Sequence, residues 1–544
     1  MKKCIFMILM TALLFSCKDR APDVQKINYK IGSFDPAYGD AIIAGSIGEP
    51  SVLIPMLAGD SASHDVAGLI FNGLIKYDTD LSVIGDLAES WDISPDGLVI
   101  TFYLKKGIKW ADGIEFTAED IMFGYKTITD EKTPTAYKED YLQVKKAEVL
   151  DRYTFRATYE KPFAPALTSW GSLVVLPKHL LEGKDITKAD FNRNPIGMGP
   201  FILKKWIPGQ EITLSSNRGY FEGRPYIDRY VYRFIPDPAT MFLELQAGGI
   251  DMMGLSPIQY TKQIETEFFE RNFQEFRYPV FSYTYMGFNL KHPWFQDKRV
   301  RQAIAHAIDK SEIIDVVLFG LGSPATGPYV PNTWPYNPVV KQYDFNPDKA
   351  QQLLREAGWQ DTDGDGIVDK DGNPFKFTII TNLGNNLRKN CATIIQQRLK
   401  KIGIKVEIRV LEWSAFINEF IDKRRFEAVI LGWSIGIDPD QYDIWHSSKT
   451  KEKEFNFVSY NNPEVDQLLE QGRRTFDIDE RKKAYFRIQE ILADELPYIF
   501  LYVPDALPIV HARFKGIKPS PIGISYNLHK WYVPQKFQKH SIEP

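Results

Sequence analysis

The chain has 544 residues, more than one hydrophobic core ordinarily serves, so its length predicts two or three packed lobes and excludes a single small domain. With 44% hydrophobic and 25% charged residues it has the composition of an ordered globular protein and not of a disordered or fibrous chain. The net charge is −4 and the basic residues are dispersed, which argues against a nucleic-acid partner, since a phosphate backbone is met by a basic patch.

Lys2 and Lys3 open the chain, the run from Cys4 to Phe15 is almost wholly apolar, and polar sequence resumes at Lys18. A basic start before an apolar run too short to span a bilayer is the layout of a secretory signal. Leu14, Phe15, Ser16 and Cys17 then resemble a bacterial lipobox, although Phe15 is bulkier than the usual residue there. Residues 1–16 are therefore expected to be a signal peptide. Cys17 is expected to carry a lipid that anchors the chain on the periplasmic or extracytoplasmic face of a bacterial membrane; the alternative is an ordinary signal followed by a chance cysteine. Residues 17–37, polar and interrupted by Pro22, Gly32 and Pro36, read as a tether. Of the chain's three cysteines only Cys391 then remains in the folded body, so no disulfide is expected within it.

From Ala41 onward short apolar segments alternate with turn signals, as at 99–104, 153–159 and 201–206, and the first half reads as strand-rich. Val300, Ala303, Ile304, Ala307 and Ile308 then recur at the spacing of one helix face, predicting an amphipathic helix between Asp297 and Lys310. Residues 348–357 read as a helix ended by Gly358, 375–381 as a strand, and 386–400 as a helix ended by Gly403. Cys391 falls on the apolar face of that last helix with Leu387, Ile394, Ile395 and Leu399, which predicts a core thiol and not a nucleophile. Residues 404–410 alternate as a strand with one polar edge or face, Ser414 is the expected cap of a helix carrying Phe416, Ile417, Phe420 and Ile421, and 426–431 is an apolar strand.

Strands joined in this way by helices imply a parallel sheet covered on both faces, with ligands bound beyond the carboxyl ends of its strands. The segment leaving the last strand, 432–439, holds an aromatic plate in Trp433, a hydroxyl in Ser434, flexible backbone at Gly432 and Gly436, and a carboxylate in Asp438. Ligand contacts are expected there.

The sequence carries no recognisable catalytic constellation. It shows no His-Glu-x-x-His, no Gly-x-Ser-x-Gly and no phosphate loop, and its eight histidines stand singly without metal-ligand spacing. One run, DTDGDGIVD, has the character of a calcium loop: Asp361, Asp363, Asp365 and Asp369 offer oxygens around a turn at Gly366, but Gly372 stands where a twelfth-position acid belongs. It reads either as a structural calcium site or as a solvated acidic hairpin, the latter being favoured by its Asp-Gly steps.

Several segments together resemble the extracellular solute-binding proteins of family 5, the dipeptide- and oligopeptide-binding components of ABC transporters. They are LAESW at 87–91, SPDG at 94–97, KGIKWADGIEFTAED at 106–120, GMGPF at 197–201, VRQAI at 300–304 and the pair Gly432-Trp433. The resemblance implies an α/β, two-lobed fold of the type II periplasmic-binding-protein kind, with an extra subdomain inserted in the first lobe. Lobe I would comprise 38–80, 200–285 and 500–544, the insert 81–199, and lobe II 286–499. It further implies a monomer that captures dipeptides or oligopeptides by lobe closure and delivers them to a membrane permease, with no enzymatic activity; no cofactor is expected apart from the structural calcium that is one of the two readings of the acidic run. In dipeptide-binding relatives an aspartate shortly after the GW pair holds the ligand's ammonium. Here that interval reads Ser434, Ile435, Gly436, Ile437, so Asp438 substitutes for it or a free amino terminus is not recognised. Arg388 and Lys389 stand where relatives place an arginine for the ligand's carboxylate, the other reading being a solvated helix end. Trp413 is either a stacking residue or part of the core. The alternatives are the same fold around an oligosaccharide, an opine or a metal chelate, and, from another class, an exported hydrolase.

Overall fold

The computed structural model describes residues 35–172 and 175–540. The expected signal peptide, Cys17 and most of the 17–37 tether lie outside the described residues.

Two large sheets organise the chain. In the first, Ala41–Ser46 is central because its apolar AIIAGS run is buried by neighbours on both sides. It pairs in parallel with Arg229–Phe234 and with Met252–Gly254. Antiparallel strands complete the sheet, with Glu211–Ser216 and Phe201–Ile207 on one side and Pro508–His511 and Phe273–Glu275 on the other. The helix Ser61–Ile70 follows the first strand, and its start is set by Asp60, whose carboxylate accepts from the Ser63 amide at 2.9 Å.

A separate antiparallel sheet orders Ala88–Ile93, Val99–Leu104, Thr154–Tyr159 and Val144–Asp151. The helix Ala118–Thr129 begins with a capping box between Thr117 and Asp120. Trp110 and Trp170 are fully buried here, and one continuous apolar core joins this sheet to the first, so the tryptophan of the KGIKWADG run serves packing.

The second large sheet runs Tyr278–Pro279, Tyr498–Ala506, Ser282–Phe288, Ala428–Ser434, Lys376–Asn382, Lys405–Leu411, with Gly322–Pro324 added beside Tyr498–Ala506. It is mixed and not wholly parallel. Only Lys405–Leu411, Lys376–Asn382 and Ala428–Ser434 are mutually parallel, whereas Ser282–Phe288 and Tyr498–Ala506 run against their neighbours. These two strands arrive from distant parts of the chain and not through a helical crossover, which removes the constraint that makes neighbours parallel. Lys405–Leu411 is the edge strand, which accounts for its exposed polar positions. The lobe boundaries expected at 285/286 and 499/500 fall inside two of these strands, because each apolar run crosses the boundary without a turn signal.

Helices cover both faces of this sheet. Lys298–His306 buries Val300, Ala303 and Ile304, and Ala307 and Ile308 continue the same buried face beyond it. Asn386–Lys400 buries Cys391 completely, and burial pushes that thiol well above its ordinary range. The next helix is capped by Glu412, not Ser414: the Glu412 carboxylate accepts from the Ser414 and Ala415 amides at 2.9 Å each, which places Ser414 in the first turn. Among the described residues no helix is long and apolar enough to cross a membrane.

Candidate ligand-binding site

A cavity of about 780 Å³ lies between residues of the two sheets. From the second sheet it is walled by residues at or just beyond the carboxyl ends of the three parallel strands: Asn385 and Arg388 after Lys376–Asn382, Trp413 after Lys405–Leu411, and Trp433 and Ser434 at the end of Ala428–Ser434. From the first lobe it receives Asp60, His64 and Asp65 around the start of Ser61–Ile70, and Tyr137 from the insert.

The two sides touch. Trp413 Nε1 donates to Asp60 Oδ1 at 3.4 Å, and the Tyr137 and Phe455 rings meet edge to face at 5.3 Å. Beyond the cavity rim Lys449 reaches Glu139 at 3.0 Å, and Arg473 pairs with Asp140. These contacts hold the first lobe and its insert against the second lobe, so the arrangement is a closed one.

Charge in the cavity is divided. Asp60 is buried and satisfied by both Ser51 Oγ and Ser63 Oγ at 2.6 Å. Asp65 is open to the cavity but crowded by protein, and desolvation, reinforced by the Asp60 charge, pushes it up to about 6. Asp422, across the cavity, is pushed up to about 6 chiefly by burial, with Lys453 and Arg424 opposing. On the other pole stands Arg388. Its Nη1 donates to Asn382 Oδ1 at 2.9 Å, its buried Nε has no partner, and no carboxylate lies within ion-pair distance of it among the described residues. Burial lowers its pKa, the sign of a cation held without a counter-ion. Gly432 makes room for the guanidinium: a Cβ there would stand 2.9 Å from Arg388 Nη2 and 2.9 Å from the Tyr283 carbonyl.

Of the residues singled out in sequence, Arg388, Trp413, Trp433 and Ser434 line this cavity, and Gly436, Asp438 and Lys389 do not. Trp433 stacks on Phe457 at 5.7 Å and donates to the Tyr498 hydroxyl at 3.3 Å, so part of its ring is committed to packing. Asp438 is corrected as an ammonium site, because Arg481 grips it with two nitrogens at 2.8 and 3.2 Å. Lys389 is exposed, one helix position round from Arg388. Gly436 is exposed in the loop beyond the strand. Asp60, Asp65, Asp422 and Tyr137 escaped sequence reasoning; the one available signal was Asp60 ahead of an apolar helix, and that announces a cap, not a site.

In the acidic hairpin Asp361, Asp363 and Asp369 offer oxygens within 4.8 Å of one another, and Asp365 stands outside that group. The loop's own groups use these carboxylates: Asp361 accepts from the Gly364 and Gly366 amides, Asp363 from Asp365, and Asp369 from Thr362. None of them lines the cavity.

Comparison with known proteins agrees with this geometry. Residues 82–455 match the family described as bacterial extracellular solute-binding proteins, family 5 Middle. The chain is 37% identical over 537 residues to the oligopeptide-binding protein AppA of Bacillus subtilis, covering 97% of each. The structure of AppA in complex with a nonapeptide superposes with a TM-score of 0.87 over 92% of this chain and 100% of that one. DppA of Helicobacter pylori in complex with the peptide STSA gives 0.82 at 29% identity, covering 92% of this chain and 99% of that one. NikZ of Campylobacter jejuni in complex with Ni(L-His) gives 0.83 at 29% identity, covering 91% and 99%.

Proposed function

Since this chain belongs to the bacterial extracellular solute-binding proteins of family 5, we propose that it is the extracytoplasmic component of an ABC transporter that captures oligopeptides by lobe closure and hands them to the permease. The observation that carries the reading is Arg388, a half-buried guanidinium facing the interlobe cavity with no carboxylate of its own. It is matched to a ligand carboxylate such as a peptide's terminus. Asp65 and Asp422 line the same cavity and offer a place for an ammonium, which replaces the aspartate missing after Trp433. The peptides named for AppA and DppA support this ligand class.

The protein acts as a binder and not as a hydrolase. His64 lines the cavity, and its Nε2 is held by the Ala58 carbonyl and the Tyr137 hydroxyl, each at 3.1 Å, so it is not poised beside a nucleophile. We assign the membrane attachment to a lipid on Cys17, and the working unit is a monomer.

Native mass spectrometry of protein from its own cells, followed by calorimetric titration of free and end-blocked peptides, tests the ligand. Co-purification of peptides supports the reading, while absence of peptide binding at millimolar concentration overturns it. Turnover of the bound peptide would overturn the non-enzymatic assignment, and failure of a Cys17→Ala chain to lose membrane retention would overturn the anchor.

A further inference from the structure

The first lobe holds a second cavity, of about 380 Å³, and His64 lines both it and the interlobe cleft. The helix Ser61–Ile70 explains the adjacency. Asp60, Ser61 and Asp65 at its start face the cleft, while Ala67 and Gly68 further along line the second cavity.

The wall of this cavity is polar, buried and incompletely satisfied. Asp86 is 4% exposed and accepts from Asn72 Nδ2 at 2.8 Å through Oδ2, but its Oδ1 has no hydrogen-bond partner. Asn72 Oδ1 is buried and without one, and His529 Nε2, also without a hydrogen bond, faces the Glu222 carboxylate at 4.0 Å. Glu222 adds a second carboxylate. Lys76 donates to Glu222 and lies 3.7 Å from Asp86 Oδ1, so one lysine is shared between two acids. Burial pushes His529 down to about 4, which leaves its ring neutral, so the charged groups lining the cavity are two carboxylates and one lysine, and burial raises the Asp86 carboxyl above its ordinary range. An unpaired buried acceptor costs free energy, and a donor that fills the space beside it recovers that cost.

We propose that this cavity binds a compact cationic group, an ammonium or guanidinium, that donates to Asp86 Oδ1 and Asn72 Oδ1 and balances the surplus carboxylate. Two sources carry that chemistry. One is a basic side chain or amino end of an elongated peptide that passes His64 from the cleft, and this source rests on the peptide reading above. The other is a separate small amine, which does not.

Calorimetric titration of the mature chain with three probes decides the matter: nona-alanine, the same peptide with one lysine moved along it, and agmatine. A peptide source predicts that lysine at one position tightens binding about tenfold or more over nona-alanine, and that this gain disappears in Asp86→Asn. A separate amine predicts saturable agmatine binding that Asp86→Asn abolishes and Arg388→Ala leaves in place. If Asp86→Asn does not fold, Glu222→Gln must show the same loss. Agmatine binding without any peptide binding would sink the peptide reading and leave this site standing. A lysine scan without a gain, together with no agmatine heat, means that only solvent occupies the cavity and overturns the proposal.

Discussion

Lys449, with its side chain 3% exposed, lies 3.0 Å from the carboxylate of Glu139, so a buried ion pair fastens the inserted subdomain to the second lobe. Removing Glu139 leaves the lysine charge only partly compensated and disfavours the closed arrangement. Glu139 stays partly exposed and Asp443 lies 3.5 Å from the same lysine, so the cost is on the order of 2 kcal/mol and not the larger value of an isolated buried pair. Glu139→Gln is expected to weaken ligand affinity about tenfold or more and to enlarge the radius of gyration of the ligand-free chain in small-angle scattering. An unchanged scattering curve would show that the pair plays no part in closure.

Arg388→Gln tests the anchor. The variant keeps a donor for Asn382 and removes the charge, so a peptide with a free carboxyl terminus should lose about tenfold to a hundredfold in affinity. A carboxamide-ended peptide should bind both proteins alike. Equal losses for the two peptides would mean that Arg388 shapes the cavity and does not read the carboxylate.

The pH dependence arises from Asp65 and Asp422. Both are raised to about 6, so each is protonated more readily in the folded chain than in the unfolded one. Their ionisation therefore costs folded-state stability above about pH 6, and the folded chain gains relative stability from them as pH falls through 6 toward the ordinary aspartate range. Binding runs the other way, because an ammonium needs the charged carboxylates. Affinity for a free-amine peptide should fall between pH 7 and pH 5, and affinity for its N-acetylated form should not; parallel curves would remove the two aspartates from amine recognition.

The acidic hairpin is expected to hold its shape without metal, since amides within the loop already occupy Asp361, Asp363 and Asp365. Chelation by EDTA should shift the melting temperature by less than about 1 °C, and added calcium should do no more, because an ion that binds the folded chain selectively must raise it. A calcium-dependent rise of several degrees would establish the site instead.

The legible parts of the structure are those with a local period. The spacing of Val300, Ala303 and Ile304 determines a buried helix face, and the alternation at 404–410 identifies a strand with a polar edge or face, because both signals lie within one element. Arg388, Trp413 and Trp433 were within reach for a related reason: ligands gather beyond the carboxyl ends of parallel strands, and those ends can be found from the pattern. Asp65 and Asp422 were not, since the cavity they share is formed by two lobes and neither has a local mark. Asp438 misled because closeness to Trp433 in sequence says nothing of Arg481, which approaches from the helix Ile478–Glu495 and neutralises it. The antiparallel strands of the second sheet were hidden in the same way, being joined by long connections whose direction no periodicity records.

Gly432 offers the sharpest test of the site's construction. A methyl group at 432 meets the Tyr283 carbonyl of the paired strand, which cannot withdraw without breaking the ladder, and Arg388 Nη2, which can. The guanidinium can yield, but its withdrawal leaves the carbonyl contact in place, so Gly432→Ala also strains the ladder and should reduce affinity for free-carboxylate peptides at least as much as Arg388→Gln does. If the methyl acts on affinity through the arginine, the double variant loses no more than Gly432→Ala alone, because the interaction removed is the same. Additive losses in the calorimetric cycle would show that Gly432 admits the ligand's own backbone and that its packing against Arg388 is incidental.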